Sequence, residues 1–66
     1  MKVGDRVKLT KNHDIAPLAA IAAGTVGEIV GVRDETWQRI PTRLYTVQFD
    51  ILQVTIAEMR NELAPA

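Results

Sequence analysis

Apolar and polar residues alternate along this chain in short runs, and the runs predict strands. Val7 and Leu9 alternate with Arg6, Lys8 and Thr10, the period of a strand with one face inward and its lysines outward. Gly24 to Val32 is a second apolar run. It holds Gly24, Gly27 and Gly31, which suit a strand that bends or carries a bulge. Leu44 to Phe49 is the third, with Tyr45, Val47 and Phe49 on one face and Thr46 and Gln48 on the other. After a turn at Asp50–Leu52, Gln53 to Ile56 is a fourth strand, β-branched and alternating. Ala57 to Asn61 fits a single helical or 3₁₀ turn, and Glu62 to Ala64 a last short strand, with Pro65 ending the ladder.

Two stretches break the alternation. Ile15 to Ala23 is alanine-rich, with Leu18 and Ile21 three apart. Alanine's helix propensity, Pro17 at a first helical position and Gly24 as a stop predict a short helical lid that packs Leu18 and Ile21 onto the strands. Arg33 to Arg43 is polar apart from Trp37, Ile40 and Pro41. It reads as a long loop, and long loops in compact domains tend to carry function. The expected architecture is all-β: one domain over residues 1–66, a five-stranded SH3-like barrel with a helical lid in its first long loop. The expected core is Val7, Leu9, Val26, Ile29, Val47, Phe49, Val54, Ile56 and Leu63.

Size and charge narrow the function. A chain of 66 residues buries only about 60% of the surface its unfolded form exposes. Eight basic residues balance eight acidic ones, which disfavours nucleic acid as a partner. A small core and zero net charge favour a module that rests against another protein, and homo-oligomerisation is compatible with both. Without cysteine, no disulfide or thiolate metal site is expected, in keeping with a cytoplasmic protein. The first residues lack the apolar stretch of a signal peptide, and Ile15 to Val32 is too interrupted to span a membrane.

No catalytic, cofactor-binding or metal-binding residue is assigned. His13, the one histidine, has Asp14 beside it, but the chain contains neither serine nor cysteine for it to activate. Gly24, Gly27 and Gly31 lack the Lys-Ser/Thr ending of a phosphate loop and the spacing of a dinucleotide fingerprint. The residues singled out are Trp37, Arg39 and Ile40, an aromatic, a cation and an aliphatic of the kind that anchor interfaces. Trp37 has two readings, partner anchor or cap over the open end of the barrel.

The opening Met1 to Lys8, the Gly24 to Val32 run, Trp37-Gln38 with Pro41, Tyr45 to Phe49 and the closing Arg60 to Leu63 resemble the variable (alpha) chain of ferredoxin–thioredoxin reductase. Through Gly24 to Gly27 and Leu44 to Phe49 the chain is similar to the small nitrogenase-maturation barrel proteins as well. The first resemblance implies a non-catalytic accessory barrel, with no cofactor of its own, that supports a larger catalytic iron–sulfur subunit. The alanine-rich stretch departs from that family's more polar loop. An alternative is a small oligomeric enzyme with its site at a symmetry axis, as in the barrel-type dihydrofolate reductases. Those build a pore from a Val-Gln-Ile-Tyr strand, where this chain has Gln53-Val54-Thr55-Ile56. A nucleic-acid-binding barrel is the third reading.

Overall fold

The computed structural model describes residues 1–16, 19–50 and 52–66, with side-chain surroundings for all of these except Ile15, Ala16 and Ala19. The strands are β1 (Arg6–Leu9), β2 (His13–Ala16), β3 (Ala19–Ile21), β4 (Val26–Trp37), β5 (Ile40–Phe49), β6 (Leu52–Ala57) and β7 (Leu63–Pro65), with a 3₁₀ turn at Glu58–Arg60. Five form one antiparallel sheet in the order β6-β5-β4-β1-β7, and β2 and β3 form a separate two-stranded ribbon. The chain is all-β, as its alternation predicts. Among the described residues no helix is long and apolar enough to cross a membrane.

The expected five-stranded barrel is corrected in two respects. The described residues form seven strands, and β6 and β7 remain the two edges of the main sheet, so among these residues the sheet is not closed. The 3₁₀ turn and Asn61, in the left-handed region at φ 55°, come between them. Pro65 does not end the ladder: it stands opposite Val7, on an edge strand where proline's missing N–H is tolerated.

The helical lid is also corrected. Within Ile15 to Ala23, the stretches up to Ala16 and over Ala19–Ile21 are strand, with His13 opposite Ile21 and Asp14 opposite Ala20. A helix of two turns is marginal without packing, whatever its alanine content, and pairing within a ribbon satisfies the same backbone groups. Asn12 secures the far end, its side-chain oxygen accepting from Ala23 N–H at 2.8 Å. Ile21 does reach the core, as expected of the lid, whereas Leu18 lies outside the described residues.

The core is Val7, Leu9, Ile21, Ile29, Tyr45, Val47, Phe49, Ile56 and Leu63, with Val54 partly buried against it. Val26 does not belong to it: it is 43% exposed and stands opposite the exposed Lys8. Gly27 takes the inward position instead. A Cβ at Gly27 would lie 2.7 Å from the Gln48 carbonyl oxygen, 2.7 Å from Phe49 Cδ1 and 2.8 Å from Val47 Cγ1. The missing side chain is what lets β4 and β5 come together over the core. The register then shifts between Ile29 and Gly31. This bulge turns the even-numbered residues of β4 to the side that the odd ones held before it.

These contacts set apart two glycines of the same strand. Gly27→Ala is expected to cost on the order of 1–3 kcal/mol through overpacking. Gly31→Ala is expected to be milder, since a Cβ there meets only Thr46, at 3.5 Å. Urea denaturation of both variants checks this, and equal midpoints would contradict the packing described.

Candidate functional site

The stretch expected as a long loop, Arg33 to Arg43, is paired strand apart from a two-residue turn. Arg33 stands opposite Leu44, Asp34 opposite Arg43, Glu35 opposite Thr42, Thr36 opposite Pro41 and Trp37 opposite Ile40. Only Gln38 and Arg39 connect the two strands. Both have positive φ, 51° and 66°, the sign pattern of a type I′ turn. That turn normally uses Asn-Gly, so Gln38-Arg39 carries no turn signal in the sequence.

Among the described residues no other strand lies beside this outer part of the hairpin. β1 pairs with β4 only at Val26, Gly27 and Glu28, and β6 pairs with β5 only from Leu44 to Phe49. A lone two-stranded ribbon is marginal in water, and cross-strand side chains support this one. Arg43 donates to both Asp34 oxygens, at 2.8 and 3.5 Å, and the Arg43 hydrogen bond holds the Asp34 carboxyl below the usual carboxylate range. Arg33 and Glu35, two apart on β4 itself, pair at 3.1 Å along that strand and not across the ribbon.

Directly opposed residues share a face. Trp37 and Ile40 therefore sit side by side at the tip, 66% and 55% exposed. Arg39 is exposed in the turn beside them. On the same face, Trp37, Glu35, Thr42 and Leu44 line a groove of about 300 Å³ whose other wall is Ala57, Met59 and Arg60. Met59 is 53% exposed. The structure thus brings together the three residues singled out from sequence and adds Met59 and Leu44, which sequence reasoning missed. Leu44 carried a signal, since the alternation of β5 puts it on the face opposite Tyr45. Met59 carried none, because the short turn around it has no apolar period.

The second wall is held by Tyr45. Its ring is buried, and its hydroxyl donates to Glu58 Oε1 at 3.1 Å. Burial and then the Glu58 carboxylate push the Tyr45 phenol above its ordinary range. The bond ties the 3₁₀ turn to β5 and so sets Met59 and Arg60 beside the groove.

His13 is engaged elsewhere. Its partner is Glu62, not the neighbouring Asp14. Nδ1 lies 2.9 Å from Glu62 Oε2, and Arg60 Nε lies against Oε1. The Glu62 side chain is 1% exposed. Burial alone would raise its pKa, but the His13 hydrogen bond and the Arg60 and His13 charges outweigh it and hold the carboxyl below its usual range. An ionised carboxylate only accepts hydrogen bonds, so Nδ1 carries the hydrogen. This cluster clamps the ribbon to the segment entering β7. Among the described residues no group of three or more His, Cys, Asp or Glu could hold a metal ion.

Two measurements check this site. The depressed pKa of Glu62 means that its contribution is complete above the unfolded carboxyl's pKa, near 4.5, and is lost as pH falls through the lower folded value. Glu62→Gln is expected to cost about 1–2 kcal/mol at pH 7 and to flatten that part of the acid loss, read from denaturant midpoints between pH 7 and pH 3. Trp37 fluorescence is expected to be red-shifted and open to an aqueous quencher. A blue-shifted, protected spectrum would mean a buried ring and would remove Trp37 as an anchor.

Comparison of the chain with protein-family models, curated proteins and solved structures returned no match.

Proposed function

We propose that this chain is a non-catalytic accessory module of the SH3-like kind that binds a protein partner through the tip of the β4–β5 hairpin, with Trp37, Arg39 and Ile40 as anchors. The observation that carries this reading is the exposed Trp37–Ile40 pair at the end of a ribbon that has no sheet neighbour among the described residues. A monomer gains little by keeping a tryptophan and an isoleucine in water there, whereas an interface gains a large apolar area with few rotamers to fix. The groove beside them, floored by Leu44 and flanked by Met59, gives a partner's apolar side chain a place to enter. Arg39, exposed in the turn beside Trp37 and Ile40, suits a carboxylate on the partner.

The turn supports the same reading. Two consecutive non-glycine residues with positive φ cost about 1 kcal/mol or more each. Strain of this kind is retained where the side chains have a use that glycine could not serve. Among the described residues the strand order places β1 between β4 and β7 and leaves β6 and β7 as open edges. That the partner is a redox or iron–sulfur enzyme subunit rests on the resemblance to the reductase variable chain alone.

The test uses the purified chain as bait in its native extract, followed by affinity measurement with the chain that co-purifies. Trp37→Ala is expected to weaken binding by roughly 2 kcal/mol or more with the melting temperature nearly unchanged. Arg39→Gly is expected to raise stability by about 1 kcal/mol while weakening the same binding, so that stability and affinity move in opposite directions. Unchanged affinity in both variants would overturn the proposal. So would a stability loss in Trp37→Ala large enough to account for its binding defect.

A further inference from the structure

The two edges of the main sheet are guarded differently. β7 is three residues long and ends in Pro65. β6 is six residues long, Leu-Gln-Val-Thr-Ile-Ala, with no charge, proline or glycine. Natural edge strands are normally blunted by shortness, charge, proline or a bulge, because their outer row of N–H and C=O groups is a template for another strand. β6 has none of these devices: its ladder with β5 is regular from Leu52 to Ala57, and among the described residues no strand lies beyond it.

The side chains of β6 say which strand fits. Leu52, Val54 and Ile56 stand opposite Phe49, Val47 and Tyr45 and share their core-facing side. Gln53 and Thr55 stand opposite Gln48 and Thr46 on the other side and are exposed. Leu52 to Ile56 therefore reads apolar, polar, apolar, polar, apolar in both directions about Val54. An antiparallel copy centred there sets Val54 against its own counterpart, Leu52 against Ile56 and Gln53 against Thr55. Every pair is matched, apolar with apolar on one side and amide with hydroxyl on the other. A register moved by one residue would set the core-facing side chains against the outward ones. Centring on Thr55 instead would bring Leu52 opposite Glu58, which is already in the 3₁₀ turn. Leu52, 44% exposed in the single chain, lies beside the arriving strand. The zero net charge leaves no overall repulsion between copies.

We propose that β6 is a self-association edge: two copies of this chain pair antiparallel through Leu52–Ile56 about a two-fold axis at Val54, joining their five-stranded sheets into one. The occupant is a second copy because the strand is complementary to itself in this register. The surface is separate from the hairpin tip, so a dimer leaves Trp37 and Ile40 open.

Sedimentation velocity of the full chain over a wide concentration range tests the proposal, and two double variants test the register. Gln53→Lys with Thr55→Lys places lysines directly opposite one another across the axis and is expected to weaken dimerisation by about tenfold or more. Gln53→Lys with Thr55→Glu places opposite charges across the axis in the same register and is expected to restore or exceed the parent's association. Both positions are exposed, and circular dichroism with thermal melting confirms that each variant folds. If the double-lysine variant does not fold, the Lys/Glu variant decides, since tighter dimerisation that weakens with added salt is expected only in this register. A parent that stays monomeric at every concentration overturns the proposal. So does a dimer unaffected by both variants, or one abolished by Trp37→Ala instead.

Discussion

The fold depends on the close approach between β4 and β5 at Gly27. That residue faces Val47, Phe49 and the Gln48 carbonyl with no space for a methyl group between them. Because β4 comes this near, Ile29 and Val47 can stand opposite each other with neither exposed. β1, paired to the same part of β4, then brings Val7 and Leu9 into the same core. A bulge just beyond Ile29 reverses the faces of β4 and releases its outer half from the core. One small residue and one extra residue thus divide a twelve-residue strand into a buried half that builds the domain and an exposed half that meets solvent.

What the sequence made legible follows from that division. Where one face is buried and the other wet, as at Val7 and Leu9 or Tyr45 to Phe49, alternation identifies strand and core together. At Val26 and Gly27 it misleads, because the inward position is held by the residue with no side chain and the apolar residue beside it faces out. Ile15 to Ala23 misleads through composition: alanine's helix preference is worth only tenths of a kilocalorie per residue, and tertiary pairing overrides it. The hairpin tip was hidden because Gln38-Arg39 adopts a turn that its residue types do not favour. Trp37 and Ile40 still stand out as apolar residues in a polar stretch, although the backbone that carries them is strand and not loop.

Glu62 shows a different limit. Nothing local marks it as buried, and its partner His13 is 49 residues away in sequence. A carboxylate can be withdrawn from water only where donors are already arranged to receive it. Such an arrangement is a property of the assembled chain and has no sequence period. The same holds for Tyr45 and Glu58, whose bond gives the groove its second wall.

The pairing of β1 with β7 also bears on how the molecule is made. Val7, Lys8 and Leu9 find their second neighbour only at Leu63, Ala64 and Pro65, so residues synthesised early wait for residues synthesised late. While the ribosome is still extending the chain, Leu63 and Glu62 have yet to take their places, and a nascent chain stopped before them leaves one side of β1 open. The sheet around β1 is therefore completed only when Leu63 to Pro65 are available to pair with it, and the sequence separation of that contact makes it a late one to form.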